Sequence, residues 1–333
     1  MLAVAALVSG CIVDLGVPPG FTETVAVDVT AGGTVLGTGT AADGHREAFL
    51  RSPEGDWTLL GAEPPGAPDV WSEAAAINAS GTVVGTSSDG GDTFTERAFS
   101  WTESGGFEPV PVDVPGYPHS AASDVNASGQ VVGQAFDSTA NGPGFLYTPG
   151  EGTTELSPGI YYGANPAAIN DAGTVVGTVW IPASGGGIVR AAVWAPPAYE
   201  PEILPAPSGL TSSTRGLAID EDGTMAGTFS GVFPGQSQST VIGLIWSPAE
   251  GHPYTERPGF SVYGIEDGTV VGTVSAGYDP RAAIWQAGEA APEHLGTLSG
   301  GTQSWATDIN GEHIVGFAIG SAGRRAARYT PAP

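Results

Sequence analysis

The chain contains no lysine and one cysteine. Without lysine there is no P-loop lysine, so its many glycines do not form a phosphate-binding loop of that kind. Ten arginines face 35 acidic residues, for a net charge of −25. Nucleic-acid affinity comes largely from cations neutralising phosphates, so a nucleic-acid partner is not expected. Anionic lipid head groups would repel the chain for the same reason, so any membrane attachment must be hydrophobic or covalent. Cys11 stands alone, so no internal disulfide can form. No segment after the N-terminus has about 18 consecutive apolar residues, the length a spanning helix needs. No stretch shows a sustained helical period.

What the chain has is glycine (52), proline (28) and an echo. "AAINASGTVVGTS" at 75–87 returns as "AAINDAGTVVGTV" at 167–179. The glycine closing each "VVG" falls at 37, 85, 133, 177, 227, 272 and 316. Seven units of roughly 46 residues match the period of propeller blades and not of helical repeats. Each unit reads as a small-residue strand, a tight turn, a strand such as TVVGT, a third strand ending in an aromatic, and a short fourth strand. The fold expected is all-β: a seven-bladed β-propeller of four-stranded blades. The units lie near 26–60, 74–112, 122–157, 166–205, 216–256, 261–298 and 305–333.

The turn chemistry is consistent across the copies. Asn78 suits the first position of a type I turn, and Gly81 the left-handed position that follows. Asn126–Gly129, Asn170–Gly173 and Asp220–Gly223 repeat the pattern, so Asp220 reads as a turn variant and not as a Ca²⁺ ligand. Units six and seven are one residue shorter, and their Asp-Gly and Asn-Gly suit two-residue I′ turns. The Ala-rich first strand and the in-strand "VVG" glycine both demand small volume, which places the first strand innermost. Trp101, Tyr147, Trp194, Trp246, Trp285 and Tyr329, ending third strands, suit packing between blades.

The last unit has no room for a fourth strand. Residues 12–16 (IVDLG) resemble His294–Gly296 in the preceding unit, and they are expected to complete the last blade and close the ring.

The frame A-x-x-I-N-x-x-G-x-V-V-G … A-F-x-W, with "HLGTLSGGTQSWATDIN" at 294–310, resembles the HAF repeat, a bacterial extracellular repeat. The resemblance covers nearly the whole chain and implies an exported, propeller-like protein. The family's His before Ala-Phe is replaced by Glu47, Arg97 and Arg281, so no role of that His carries over. Val8-Ser9-Gly10-Cys11 resembles a lipoprotein lipobox. This implies a signal peptide over 1–10, lipid on Cys11, and location in the cell envelope or at the surface. The segment departs from the usual pattern in being short and lacking positive charge.

Function is expected where the echo fails, because loops on a rigid scaffold carry binding residues. The links between blades supply Trp71, Tyr117, His119, Tyr161, Tyr162, Arg215 and Trp305 as candidate ligand-binding residues. The same rings would also serve to cap gaps between blades. The five histidines fall in different units without zinc-ligand spacing, so no metal or other cofactor is expected. No nucleophile elbow and no Ser/His/Asp set stands out, and 35 acids do not single out a catalytic pair. The leading expectation is a monomeric, lipid-anchored, non-enzymatic module binding protein or glycan. The alternatives are a propeller hydrolase or lyase acting on polysaccharide, and a purely structural envelope protein. An enzyme would show acids with His or Tyr at the channel mouth and shifted pKa values.

Overall fold

The computed structural model describes every residue except 1–10, 62–69, 89–94, 139–141, 157–161, 184–185, 208–212, 233–238, 277–278 and 332–333. Every regular element among the described residues is a strand, and none is a helix able to cross a membrane. The strands form seven four-stranded sheets, each antiparallel and each in chain order but one. The exception is the seventh, ordered Cys11–Gly16, Gly323–Thr330, His313–Gly320, Gln303–Asn310. First strands touch those of both neighbouring blades all the way round, from Phe21–Val29 to Gln303–Asn310 and back. This is a seven-bladed β-propeller, closed by its N-terminal strand. In that closure Cys11 pairs with Thr330, and Leu15 is buried between blades seven and one.

The core is divided. There are seven apolar clusters, one in each gap between blades. The third strand fills each gap, with a refinement to the sequence expectation. Trp194, Trp246, Trp285 and Tyr329 are buried as expected. In blades one to three the buried ring is instead Phe49, Phe99 or Phe145, two residues earlier on the same side of the strand. Trp101 and Tyr147 are there only half-buried. Two positions share one gap, and one large ring suffices to fill it.

The "VVG" glycines are explained by a bulge. All seven first strands shift register at the same place, between residues 26 and 28 in blade one and between 122 and 124 in blade three. The bulge drives a first-strand carbonyl onto the facing glycine. A Cβ on Gly85 would fall well inside contact distance of the Glu73 oxygen and the Phe99 ring, and the other six glycines meet the same obstruction from their first strands.

The Asn turns form as expected. Gly81 takes φ +82°, its N–H donates to the Asn78 carbonyl, and Asn78 Oδ1 accepts from Ser80 and Thr82 N–H. The same asparagines also join blades, which the repeat alone did not reveal. Asn78 Nδ2 donates to the Asn126 carbonyl, Asn126 to that of Asn170, and Asn170 to that of Asp220. In blade six Asp267 and Gly268 both have positive φ, as an I′ turn requires. Blade seven differs from expectation. Asn310 pairs with His313, so Gly311-Glu312 is the central pair, and only Gly311 has positive φ. That is the signature of a II′ turn, which needs Gly first.

Candidate functional site

The propeller has two unlike faces. First strands begin at one face, the mouth, where links between blades also arrive. They end at the other, the underside, where the Asn turns lie. Strand alternation decides what lines the channel between them. One side of each first strand is buried toward the preceding blade, by a small residue in every blade but the sixth, where Phe260 takes the place. Thr24, Ser72, Ser120, Thr214 and Ser304 are such residues, each accepting a backbone N–H from the blade before.

The other side carries the candidate residues. Val25, Glu73, Ala121, Asn165, Arg215, Ser261 and Trp305 share one rung, since each pairs at the same place before its bulge. Trp71 and His119 lie two residues nearer the mouth on the same strand side. Four predicted residues, Trp71, His119, Arg215 and Trp305, thus occupy two adjacent rungs. They stand on first strands, not on the links where the sequence reading put them. Tyr117 lies just before the first strand of blade three and is half-buried. Tyr162 is 68% exposed beside Trp180, whose carbonyl accepts its N–H. Tyr161 lies outside the described residues.

Each ring already has company. The Arg46 guanidinium sits 4.4 Å above Trp71 and pairs with Glu73, joining blades one and two. His119 stacks on Phe136 at 5.6 Å, and Trp305 on Phe317 at 4.6 Å, with Arg324 5.6 Å from Phe317 on its ring face. Trp180, missed by sequence reading because it stands within a "VVG" strand and not on a link, lines a small cleft with Arg215 and Asn165. Glu47 accepts the Gly61 N–H at 3.0 Å.

The underside half of the channel is a 380 Å³ cavity of different chemistry. The bulged residues line it, from Val27 and Ala75 round to Tyr263 and Thr307. Below them stand Asp28, Asp124 and Asp308, deep in the ring yet partly open to the channel. Each carboxylate ties its blade to the next. Asp28 accepts from Ile77 N–H at 2.7 Å, Asp124 from Ile169 at 2.7 Å, and Asp308 from Val29 at 3.1 Å. Burial raises all three pKa values above the usual carboxylate range, Asp124 to about 7, against the pull of those N–H donors. The negative neighbour Asp28 adds to the rise at Asp308. Among the described residues no group of three or more His, Cys, Asp or Glu side chains could hold a metal ion.

No protein-family model matches the chain, and no curated protein does. Solved structures do resemble it. The β-propeller domain of the Trilobed protease from Pyrococcus furiosus, described as having an open velcro topology, aligns with a TM-score of 0.55 and 12% identity over 93% of each chain. An oligogalacturonate lyase solved with manganese aligns at 0.57 and 11% identity, over 96% of this chain and 93% of its own. The polysaccharide lyase Uly1 aligns at 0.57 and 9% identity, over 95% and 91%. At these identities the likeness is one of fold, and fold does not carry function.

Proposed function

We propose that this protein is an exported, lipid-anchored binding module of the HAF-repeat type, taking glycan or protein at the mouth of its channel without catalysing a reaction. The observation that carries this reading is the clustering of Trp71, His119, Arg215 and Trp305 on one side of the first strands, over two adjacent rungs. Aromatic and guanidinium groups on a rigid ring are suited to recognition, since little ordering entropy is lost on binding. Cys11 supports the arrangement. It is exposed and begins its strand at the underside, opposite the mouth. A lipid there would leave the mouth pointing away from the bilayer.

The enzymatic alternative has one observation in its favour, the raised pKa values of Asp28, Asp124 and Asp308 in the channel. Against it, the two Asp124 oxygens accept the Val125 and Ile169 N–H groups, which is the work of a structural tie. The test is a glycan and surface-protein binding screen of the protein with Cys11→Ser. Binding should fall at least tenfold in both Trp71→Ala and Trp305→Ala. Binding that survives both substitutions would refute the assignment of the mouth.

A further inference from the structure

Among the described residues, the mouth half of the channel holds one guanidinium without a polar partner. Arg215 is exposed, and no acid or hydrogen-bond acceptor engages it among the described residues. Arg46 has Glu73, Arg325 has the Thr22 carbonyl, and Arg328 has that of Gly33. Among the described residues Arg97, Arg281 and Arg324 also lack such partners, but they stand on third strands, two strands out from the channel. In a chain with 35 acids, a channel-lining arginine left free of them is a group held for something else.

Its surroundings narrow the choice. A cleft of 530 Å³ between blades five and six is lined by Arg215, by Ser213, Thr228, Ser230 and Ser261, and by Tyr263, Leu217 and Val262. Tyr263 is 44% exposed. The cleft thus offers one cation, several hydroxyls, and an apolar wall of Tyr263, Leu217 and Val262. Trp180 flanks Arg215 on its other side, and Trp305 shares its rung two blades on. A guanidinium pairs with a carboxylate through two parallel hydrogen bonds. A single cation matches a singly charged group better than a phosphate monoester. The hydroxyls match the hydroxyl edges of pyranose rings, and Tyr263, Leu217 and Val262 match their apolar faces. Asp171 and Glu221 also line the underside half, which disfavours an anion driven deeper.

We infer that the cleft beside Arg215 reads the carboxylate of an acidic sugar, so that the ligand class is a uronate-bearing glycan. This rests on the mouth being the binding surface, and the test separates the two. Calorimetry is run with a galacturonate hexamer, its carboxyl-reduced neutral counterpart and an acidic peptide. The wild type should bind the charged hexamer on the order of tenfold or more tightly than the neutral one. Arg215→Gln should abolish that preference without moving the melting temperature, since the side chain is exposed and unpaired. Equal affinity for the two hexamers, or a preference that survives Arg215→Gln, overturns the inference. If binding is still lost in Trp71→Ala and Trp305→Ala, the mouth assignment stands. Binding of the peptide but of neither hexamer overturns the sugar class alone. Absence of binding by all three probes counts against both.

Discussion

The Asp308 carboxylate accepts the backbone N–H of Val29, 279 residues away in sequence, at 3.1 Å. This bond crosses the seam where blade seven meets blade one. The Thr307 hydroxyl crosses the same seam to the Ala26 carbonyl at 2.9 Å. A ring built from a linear chain must close somewhere; these contacts between the first strands of blades seven and one close it together with the N-terminal strand, Cys11–Gly16.

That strand should therefore count heavily in stability. Leu15 is buried against Phe49 and Val315 across the seam. Leu15→Ala is expected to cost about 2–4 kcal/mol through lost burial and the cavity left behind. Deleting 12–16 should lower the melting temperature sharply, because it also exposes the edge of Gly323–Thr330. Urea titration and thermal melts would measure both. An unchanged midpoint in both variants would mean that the seam does not hold the ring.

The buried aspartates set a pH dependence. Burial pushes the Asp124 carboxyl up to about 7, well above the usual carboxylate range. Its raised pKa favours folding at low pH, and that contribution is lost as pH rises through about 7. Asp28 and Asp308 shift in the same direction. Stability should therefore fall between pH 5 and pH 8. Asp124→Asn should flatten that fall, with on the order of 2–4 kcal/mol at stake. Denaturation curves at the two pH values for both proteins check this, and an equal slope in the variant would contradict it.

Two glycines of one hairpin should respond differently to alanine. Gly85→Ala sets a methyl against the Glu73 carbonyl and the Phe99 ring. Neither can retreat without opening the bulge, and a loss of about 3 kcal/mol or more is expected. Gly81→Ala meets open space and is strained only by its φ of +82°. About 1–2 kcal/mol is expected there. Chemical denaturation ranks the two, and the reverse order would remove the bulge as the reason for the "VVG" glycine.

The anchor and its geometry can be tested together. Labelled palmitate should enter the wild type and not Cys11→Ala when each is expressed in a bacterium that processes lipoproteins. With the protein held on vesicles, a cysteine-reactive probe at Thr302→Cys, near the mouth, should react freely, while one at Glu312→Cys on the underside turn is shielded by the bilayer. Equal reactivity at the two positions would contradict the orientation.

The blade count, four-strand pattern, inner first strand and N-terminal closure were all legible in sequence. Each follows from local rules repeated seven times: turn residues at fixed offsets, small residues where backbones crowd, and one short strand left over. The bulge was not legible. A one-residue register shift leaves no mark on a pattern of small residues, and only the strand pairing shows it. The blade-to-blade role of Asn78, Asn126 and Asn170 was hidden because the turn already explained those residues. Asp28, Asp124 and Asp308 were three acids among 35 until the bulge turned them toward the next blade.

For the candidate site the division is similar. Sequence alone determined that Trp71, His119, Arg215 and Trp305 stand outside the repeating frame, because a repeat makes its exceptions visible. It placed them on links, since nothing local distinguishes the start of a strand from the residue before it. Only the tertiary structure decided that they share one side of the inner strands, that Arg215 has no acid beside it, and that Trp180 joins it. Those are relations between blades, and they depend on how the sheets are arranged about the axis rather than on any one segment.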